Sequence, residues 1–237
     1  MFAIIEKMNE TLASRLAEIS GQIANAAQKA NRPPQAIKLV AVSKTHPAQS
    51  VKDAIEAGAR AFGENKVQEA EGKIGEVGRE NAEWHLIGHL QSNKARKAVR
   101  LFDVIHSIDS VELAERLERI CEEEGRERLS VFVQVDLAKE STKNGIGEKD
   151  LPELVGFLSG CRHLQFDGLM TLPPFFEDAE KVRPFFRRLR ELRDEICPAG
   201  ELSMGMSHDF ALAIEEGATV IRVGTAIFGE RSYSKYQ

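Results

Sequence analysis

Short runs rich in apolar and β-branched residues alternate along the chain with segments whose apolar residues recur at helical spacing. Such an alternation requires a parallel sheet covered by helices, which places the chain in the α/β class. The eight strand-like runs cover residues 37–42, 60–63, 83–88, 103–108, 129–136, 164–170, 201–204 and 219–224. The helical patterns cover residues 48–57, 65–77, 91–100, 110–124, 149–159, 177–195 and 207–216, and a short one starts at residue 225.

A count of eight strands favours a closed (β/α)8 TIM barrel over an open doubly wound sheet. An extra helix is predicted before the first strand, because residues 5–30 have apolar positions at helical spacing and end in "NRPP", which stops a helix. No linker rich in proline, glycine or serine divides the chain. We therefore predict a single domain over residues 1–237.

The composition is that of a soluble globular protein, with 42% hydrophobic and 29% charged residues. A net charge of -5 gives no reason to expect nucleic acid or an anionic membrane as a partner. The apolar start "MFAIIEKMNE" is soon interrupted by Glu6 and Lys7, so it reads as neither a signal peptide nor a membrane span. Three cysteines outside any CxxC pattern are expected to be reduced thiols. We expect a cytoplasmic monomer.

Lys44 stands directly after the apolar run "IKLVAVS", where the first strand ends. In a TIM barrel the chemistry lies at the carboxyl ends of the strands, which we call the mouth of the barrel. A partly desolvated lysine there becomes a nucleophilic amine, and imine formation with a carbonyl is the reaction that uses it. An ordinary surface lysine is the alternative.

The last two loops of the predicted barrel both suit an anion. "SMGMSHDF" places Ser207 at the expected N-cap of the helix over 207–216, and "RVGTAIFG" is a glycine turn that opens another helix. Barrels often bind phosphate with these two loops, so a phosphorylated ligand is indicated. Simple helix capping is the alternative. Arg222 is predicted to face the barrel interior, either as a donor to a ligand ring nitrogen or phosphate, or in an ion pair with Glu64.

A metal site is not expected. His85 and His89 are four residues apart in "HLIGH", but the segment reads as a strand and a turn, where this spacing does not make the helical pair used by zinc sites.

Six motifs carry a resemblance to a known family: "AVSKTHP", "FGENKVQEA", "WHLIGHLQSNK", "GLMTLPP", "LSMGMSHDF" and "IRVGTAIFG". In this order they resemble the YggS family of pyridoxal phosphate (PLP) homeostasis proteins, also called proline synthase co-transcribed homologues. The set is also similar to the barrel of fold-type III PLP proteins such as alanine racemase. The resemblance covers nearly the whole chain.

The resemblance implies a role for particular residues of this chain. Lys44 would hold PLP covalently as a Schiff base, and Ser207, Gly224 and Thr225 would bind its phosphate. Arg222 would face the pyridine nitrogen. Three further residues would line the pocket, namely Asn65, His89 and Met204.

The resemblance also implies a function. The family is thought to store, buffer or deliver PLP, with apo forms of PLP-dependent enzymes as possible partners and no robust enzymatic activity. Racemases add a second domain that supplies a catalytic tyrosine, whereas the only tyrosines here are Tyr233 and Tyr236. We therefore expect a PLP carrier, and the alternative is a PLP-dependent racemase or another Schiff-base enzyme.

Overall fold

Eight parallel strands pair in sequence order and close into a barrel, as expected from the alternation in the sequence. The computed structural model describes residues 11–138 and 144–229 of the 237-residue chain. The strands are β1 (Lys38–Val42), β2 (Ala61–Glu64), β3 (Glu83–Leu86), β4 (Val104–Ile108), β5 (Leu129–Gln134), β6 (Leu164–Met170), β7 (Glu201–Ser203) and β8 (Val220–Val223). Because β1 pairs with both β2 and β8, the sheet is closed, and the barrel is confirmed over the open sheet.

The helices between the strands follow the predicted pattern with shifted starts. They are α1 (Leu12–Lys29), α2 (Ala48–Glu56), α3 (Val67–Val77), α4 (Ala95–Leu101), α5 (Val111–Glu123), α6 (Leu151–Ser159), α7 (Arg183–Ile196), α8 (Phe210–Glu215) and α9 (Thr225–Phe228). Single 3-10 turns precede α4 and α7, where continuous helices were predicted from residues 91 and 177. The predicted helix over 5–30 matches α1, and its residues 5–10 lie outside the described part of the chain.

Side chains alternate along each strand between the barrel interior and the layer of helices. Six apolar residues from six strands pack together as one layer of the interior: Val40, Ala61, Val104, Phe132, Met170 and Val220. Their neighbours in sequence, such as Ala41 and Ile105, belong to the larger core between the strands and the helices. This alternation decides which side chains near each strand end can face into the mouth.

No helix of the described residues is long and apolar enough to cross a membrane. That the whole chain, residues 1–237, forms a single domain stays a prediction.

Candidate functional site

The residues predicted to carry the chemistry follow three neighbouring strands. Lys44 lies two residues after the end of β1, Ser207 follows β7, and Gly224 directly follows β8. Strand β8 pairs with β1 on one side and with β7 on the other. These three residues therefore share one arc of the mouth, at the carboxyl ends of β1, β7 and β8.

Ser207 does not cap the helix that follows it, which corrects the prediction from the sequence. Helix α8 begins at Phe210, and Asp209 is its N-cap residue. The chain first makes a turn in which Asp209 Oδ1 accepts the N–H of Met206 at 2.6 Å, so the helix starts three residues later than predicted. The Ser207 hydroxyl is thereby available to another segment.

The Ser207 hydroxyl instead joins the loops after β7 and β8. Its Oγ accepts the backbone N–H of Gly224 at 3.2 Å and the N–H of Ala226 at 3.4 Å. Two peptide donors and a hydroxyl thus converge on one point at the start of α9, and the adjacent Thr225 is exposed. Phosphate oxygens take this kind of donor set, so these residues fit a phosphate group.

Arg222 points into the barrel and makes no ion pair with Glu64. Its Nη1 donates to Ser203 Oγ at 2.5 Å and its Nη2 donates to the carbonyl of Thr171 at 2.9 Å. Only 3% of the residue is exposed. Burial lowers the pKa of Arg222 to about 10, partly offset by the charge of Asp209, so the guanidinium is still a cation at neutral pH.

A series of polar contacts, which we call the interior chain, continues from Arg222 across the barrel. His106 Nδ1 lies 2.9 Å from Ser203 Oγ, and His106 Nε2 lies 2.8 Å from His85 Nδ1. His85 Nε2 is 3.5 Å from Glu83 Oε1, a contact between polar atoms that is not a hydrogen bond, because His85 Nε2 has no hydrogen-bond partner among the described residues. The same Glu83 oxygen accepts from Lys38. Contact with His85 and then with Lys38 lowers the pKa of Glu83 to about 2 despite partial burial, so the chain joins a cation to an anion.

The two charged ends fix the direction of the protons between them. Arg222 can only donate and the Glu83 carboxylate can only accept, whereas a neutral imidazole has one donor and one acceptor. We assign the Ser203 hydroxyl as donor to His106 Nδ1 and the His106 Nε2–H as donor to His85 Nδ1. Burial, followed by the positive charges of neighbouring groups that include Arg222 and Lys38, lowers the pKa of His106 well below its usual value, which agrees with a neutral ring.

The three residues predicted to line the pocket lie in different environments. His89 is exposed at the rim and its Nδ1 is 3.5 Å from Asp109 Oδ2. Asn65 is half-buried beside Gly88, where an added Cβ would lie only 2.3 Å from the Asn65 carbonyl oxygen, so the loops after β2 and β3 approach closely. Met204 is fully buried and belongs to the core between the strands and the helices, and its place in the pocket stays a prediction.

Three residues of the interior chain were missed in the sequence: His85, His106 and Ser203. They lie on β3, β4 and β7, so the contacts between them join strands that are far apart in sequence. Ala226 contributes a backbone N–H, so its side chain gives no indication in the sequence that it takes part in the site. Among the described residues, no cluster of three histidine, cysteine or acidic side chains is placed to hold a metal ion.

Comparison with known proteins gives one family model over most of the chain. The model described as "Alanine racemase, N-terminal domain" matches residues 15–232. The pyridoxal phosphate homeostasis protein of Escherichia coli is 41% identical over 237 residues, covering 96% of this chain and 100% of that protein. The protein of the same name from Aquifex aeolicus is 39% identical over 224 residues, covering 92% of this chain and 98% of that protein.

Solved structures agree with these relatives. The structure of PipY from Synechococcus elongatus with PLP bound has a TM-score of 0.80 and 44% identity, and it covers 92% of this chain and 100% of its own. Alanine racemase from Corynebacterium glutamicum has a TM-score of 0.64 at 19% identity, covering 91% of this chain and 61% of its own. The second match concerns the fold alone.

Proposed function

Since the chain belongs to the pyridoxal phosphate homeostasis proteins, which share the alanine racemase N-terminal domain, we propose that it binds PLP at the mouth of its barrel and stores, buffers or delivers it. The observation that carries the proposal is the convergence of the Gly224 and Ala226 N–H groups on the Ser207 hydroxyl, on the arc of the mouth next to Lys44. PipY, a relative of known structure, has been solved with PLP bound.

Lys44 holds the ligand covalently in this proposal. Its neutral amine adds to the aldehyde carbon of PLP, a bond forms between Nζ and that carbon, and the aldehyde oxygen leaves as water. When bound, PLP supplies an electron-withdrawing ring conjugated to this imine. Lys44 is half-buried, which restricts its side chain and reduces the entropy lost when the bond forms.

The phosphate is held by the loops after β7 and β8. Ser207 contributes its hydroxyl, Gly224 and Ala226 contribute N–H groups, and Thr225 adds a second, exposed hydroxyl. Gly224 suits this position because an added Cβ would stand 3.2 Å from the Val42 carbonyl oxygen and crowd β1. Asn65 and His89 stand at the rim on the far side of Lys44.

Ser207→Ala is expected to weaken PLP binding by about ten- to a hundredfold, because a hydrogen bond to a charged group is lost. Pyridoxal, which has no phosphate, should lose much less. Both affinities can be measured from the visible absorption of the imine. Ser159→Ala is the matched control, since the Ser159 hydroxyl donates to the Val155 carbonyl in the last turn of α6, which precedes β6 and so lies at the opposite end of the barrel. Equal losses for the two ligands would show that Ser207 only joins its two loops.

We further propose that the protein is a carrier and not an enzyme. Arg222 faces the ring nitrogen, keeps its own proton at neutral pH and donates a hydrogen bond without charging the ring. Amino-acid chemistry on PLP is fastest when a carboxylate keeps that nitrogen protonated. The Arg222 guanidinium donates to Ser203 and to the Thr171 carbonyl, and no carboxylate among the described residues hydrogen-bonds to it.

Loss of the α-proton of bound amino acids is accordingly expected to be negligible in D₂O. A positioned acid or base contributes about a hundred- to ten-thousandfold to such a step, and Arg222 is a poor candidate for either role. Deuterium incorporation into common amino acids can be followed by mass spectrometry. Steady incorporation that disappears in Lys44→Ala would favour the racemase alternative over the carrier.

The proposal as a whole is tested by the visible spectrum of the purified protein, followed by incubation with the apo form of a PLP-dependent enzyme. We expect an imine absorption band and recovery of activity in the apo-enzyme. A protein that shows no band after addition of PLP, or that never releases PLP to the apo-enzyme, would contradict the carrier function.

A further inference from the structure

The backbone on either side of Lys44 is held in an unusual conformation. The Ser43 carbonyl accepts the N–H of His46 at 3.0 Å, which closes a tight turn with Lys44 and Thr45 at its centre. Thr45 has a φ of 68°. This left-handed region is unfavourable for a β-branched residue, so surrounding contacts must hold the turn in place.

Lys73, on the buried side of α3, supplies those contacts. Its Nζ donates to the Ser43 carbonyl at 2.6 Å, to Glu64 Oε1 at 2.7 Å and to Glu69 Oε1 at 2.8 Å. The same Glu69 oxygen accepts the N–H of Thr45. One ammonium group therefore fixes the carbonyl before Lys44 directly and the amide after it through Glu69.

The cluster of Lys73, Glu64 and Glu69 contributes more to the orientation of the Lys44 turn than to the stability of the fold. The Lys73 side chain is 7% exposed and that of Glu64 is fully buried. A buried ion pair recovers little of its desolvation cost, and Glu64 Oε2 has no hydrogen-bond partner among the described residues. Burial raises the pKa of Glu64, although Lys73 and Ser43 oppose this. What the cluster does supply is one contact from each member to the segment around Lys44: Lys73 Nζ donates to the Ser43 carbonyl, the Ser43 hydroxyl donates to Glu64 Oε1, and the Thr45 N–H donates to Glu69 Oε1.

We propose that Lys73 is a positioning residue that holds the Lys44 turn in its strained conformation and so directs the Lys44 amine into the mouth. The inference rests on the proposed function, in which Lys44 forms the Schiff base. Lys73 itself is not the reacting amine, because all three of its donors are engaged within the cluster.

The first test replaces Lys73 and measures the equilibrium of imine formation with PLP by absorbance. We expect Lys73→Met to weaken it by about 10- to 100-fold, the factor that corresponds to the strain of the turn. Lys97→Met is the control, since Lys97 forms an ion pair with Glu71 in which both side chains are about half exposed. Imine formation as strong as in the unmodified protein would overturn the proposal.

A second variant avoids leaving Glu64 buried without its partner. Glu69→Ala removes the acceptor of the Thr45 N–H and one of the three acceptors of Lys73, while the Lys73–Glu64 pair stays in place. The Glu69 side chain is 27% exposed, so folding should tolerate the change. We expect the same direction of change in imine formation as for Lys73→Met. In the PLP-free protein, the Thr45 amide should also exchange its hydrogen at least about tenfold faster. Unchanged exchange at Thr45 would contradict the proposal whether or not PLP binds.

The decisive experiment is a double-mutant cycle with Thr45→Gly. Glycine adopts a positive φ without strain, so the turn no longer needs Lys73 to hold it. Glu69→Ala should then cost little imine formation in the Thr45→Gly background. A loss as large as in the Thr45 protein would show that the cluster acts on Lys44 by some other route. Failure of the proposed function looks different, because the unmodified protein would then form no imine on Lys44.

Discussion

A Lys44→Ala variant incubated with PLP and reduced with borohydride is expected to carry no covalently bound pyridoxyl group. The imine needs an amine that is close to the phosphate loops, and Lys44 is the lysine at the end of β1, beside β8. Lys73 is nearby, but its ammonium group is fully engaged. Peptide mapping after reduction of the unmodified protein should therefore find the pyridoxyl group on Lys44 alone.

The variant should still bind PLP weakly, because Ser207 and the N–H groups of Gly224 and Ala226 are untouched. Lys97→Ala serves as the control and should give the label and the spectrum of the unmodified protein. Lys66 and Lys94, which lie beside Asn65 and His89, are the competing amines. A label on either of them, or an unchanged imine spectrum in Lys44→Ala, would contradict the assignment of Lys44.

The positions of the mouth residues were predictable because strand ends are local features. The run before Lys44 and the run before Gly224 each end where the apolar pattern stops, and the structure ends β1 and β8 within two residues of those points. The start of α8 was not predictable in this way. Both Ser207 and Asp209 are good capping residues, and only the contact of Ser207 with the next loop decides between them.

The residues that hold the site in place could not be predicted from the sequence, because each contacts a residue that is far away along the chain. His106 and Ser203 are separated by 97 residues, and Lys73 and Ser43 by 30. A lysine in an amphipathic helix is typical of the solvent-exposed face, so Lys73 gives no signal until α3 is packed against β2. The closed barrel brings such partners together, and the strand alternation then decides which of them face inward.

The interior chain leads to a second prediction. We expect the free energy of unfolding to fall in mild acid, and we expect this fall to depend on His106. In the unfolded chain this histidine takes up a proton near pH 6.5, whereas in the folded protein burial and the neighbouring His85, Arg222 and Lys38 lower its pKa well below that value. Below about pH 6.5 the unfolded state therefore binds one more proton than the folded state. The free energy of unfolding should fall by up to about 1.4 kcal/mol per pH unit as the pH decreases, and this contribution should be constant above pH 6.5.

Other groups titrate in the same protein, so the comparison must be made between variants. Burial raises the pKa of Asp109 and of Asp209, and their contribution has the opposite sign from that of His106. The paired Glu83 contributes only at lower pH, because its pKa lies near 2. These contributions largely cancel when the same pH series is measured for the unmodified protein and for a variant at His106 alone.

His106→Asn is expected to lower stability near pH 8 and to make the fall of the free energy of unfolding below pH 6.5 shallower than in the unmodified protein. Phe186→Leu is the control, because Phe186 is a fully buried aromatic residue on α7 that does not titrate. It should destabilise the protein equally at every pH. An acid slope in His106→Asn equal to that of the unmodified protein would mean that His106 takes up its proton without unfolding. His106 would then be a cation beside Arg222 in the folded protein. The proton directions assigned between Ser203 and Glu83 would be wrong.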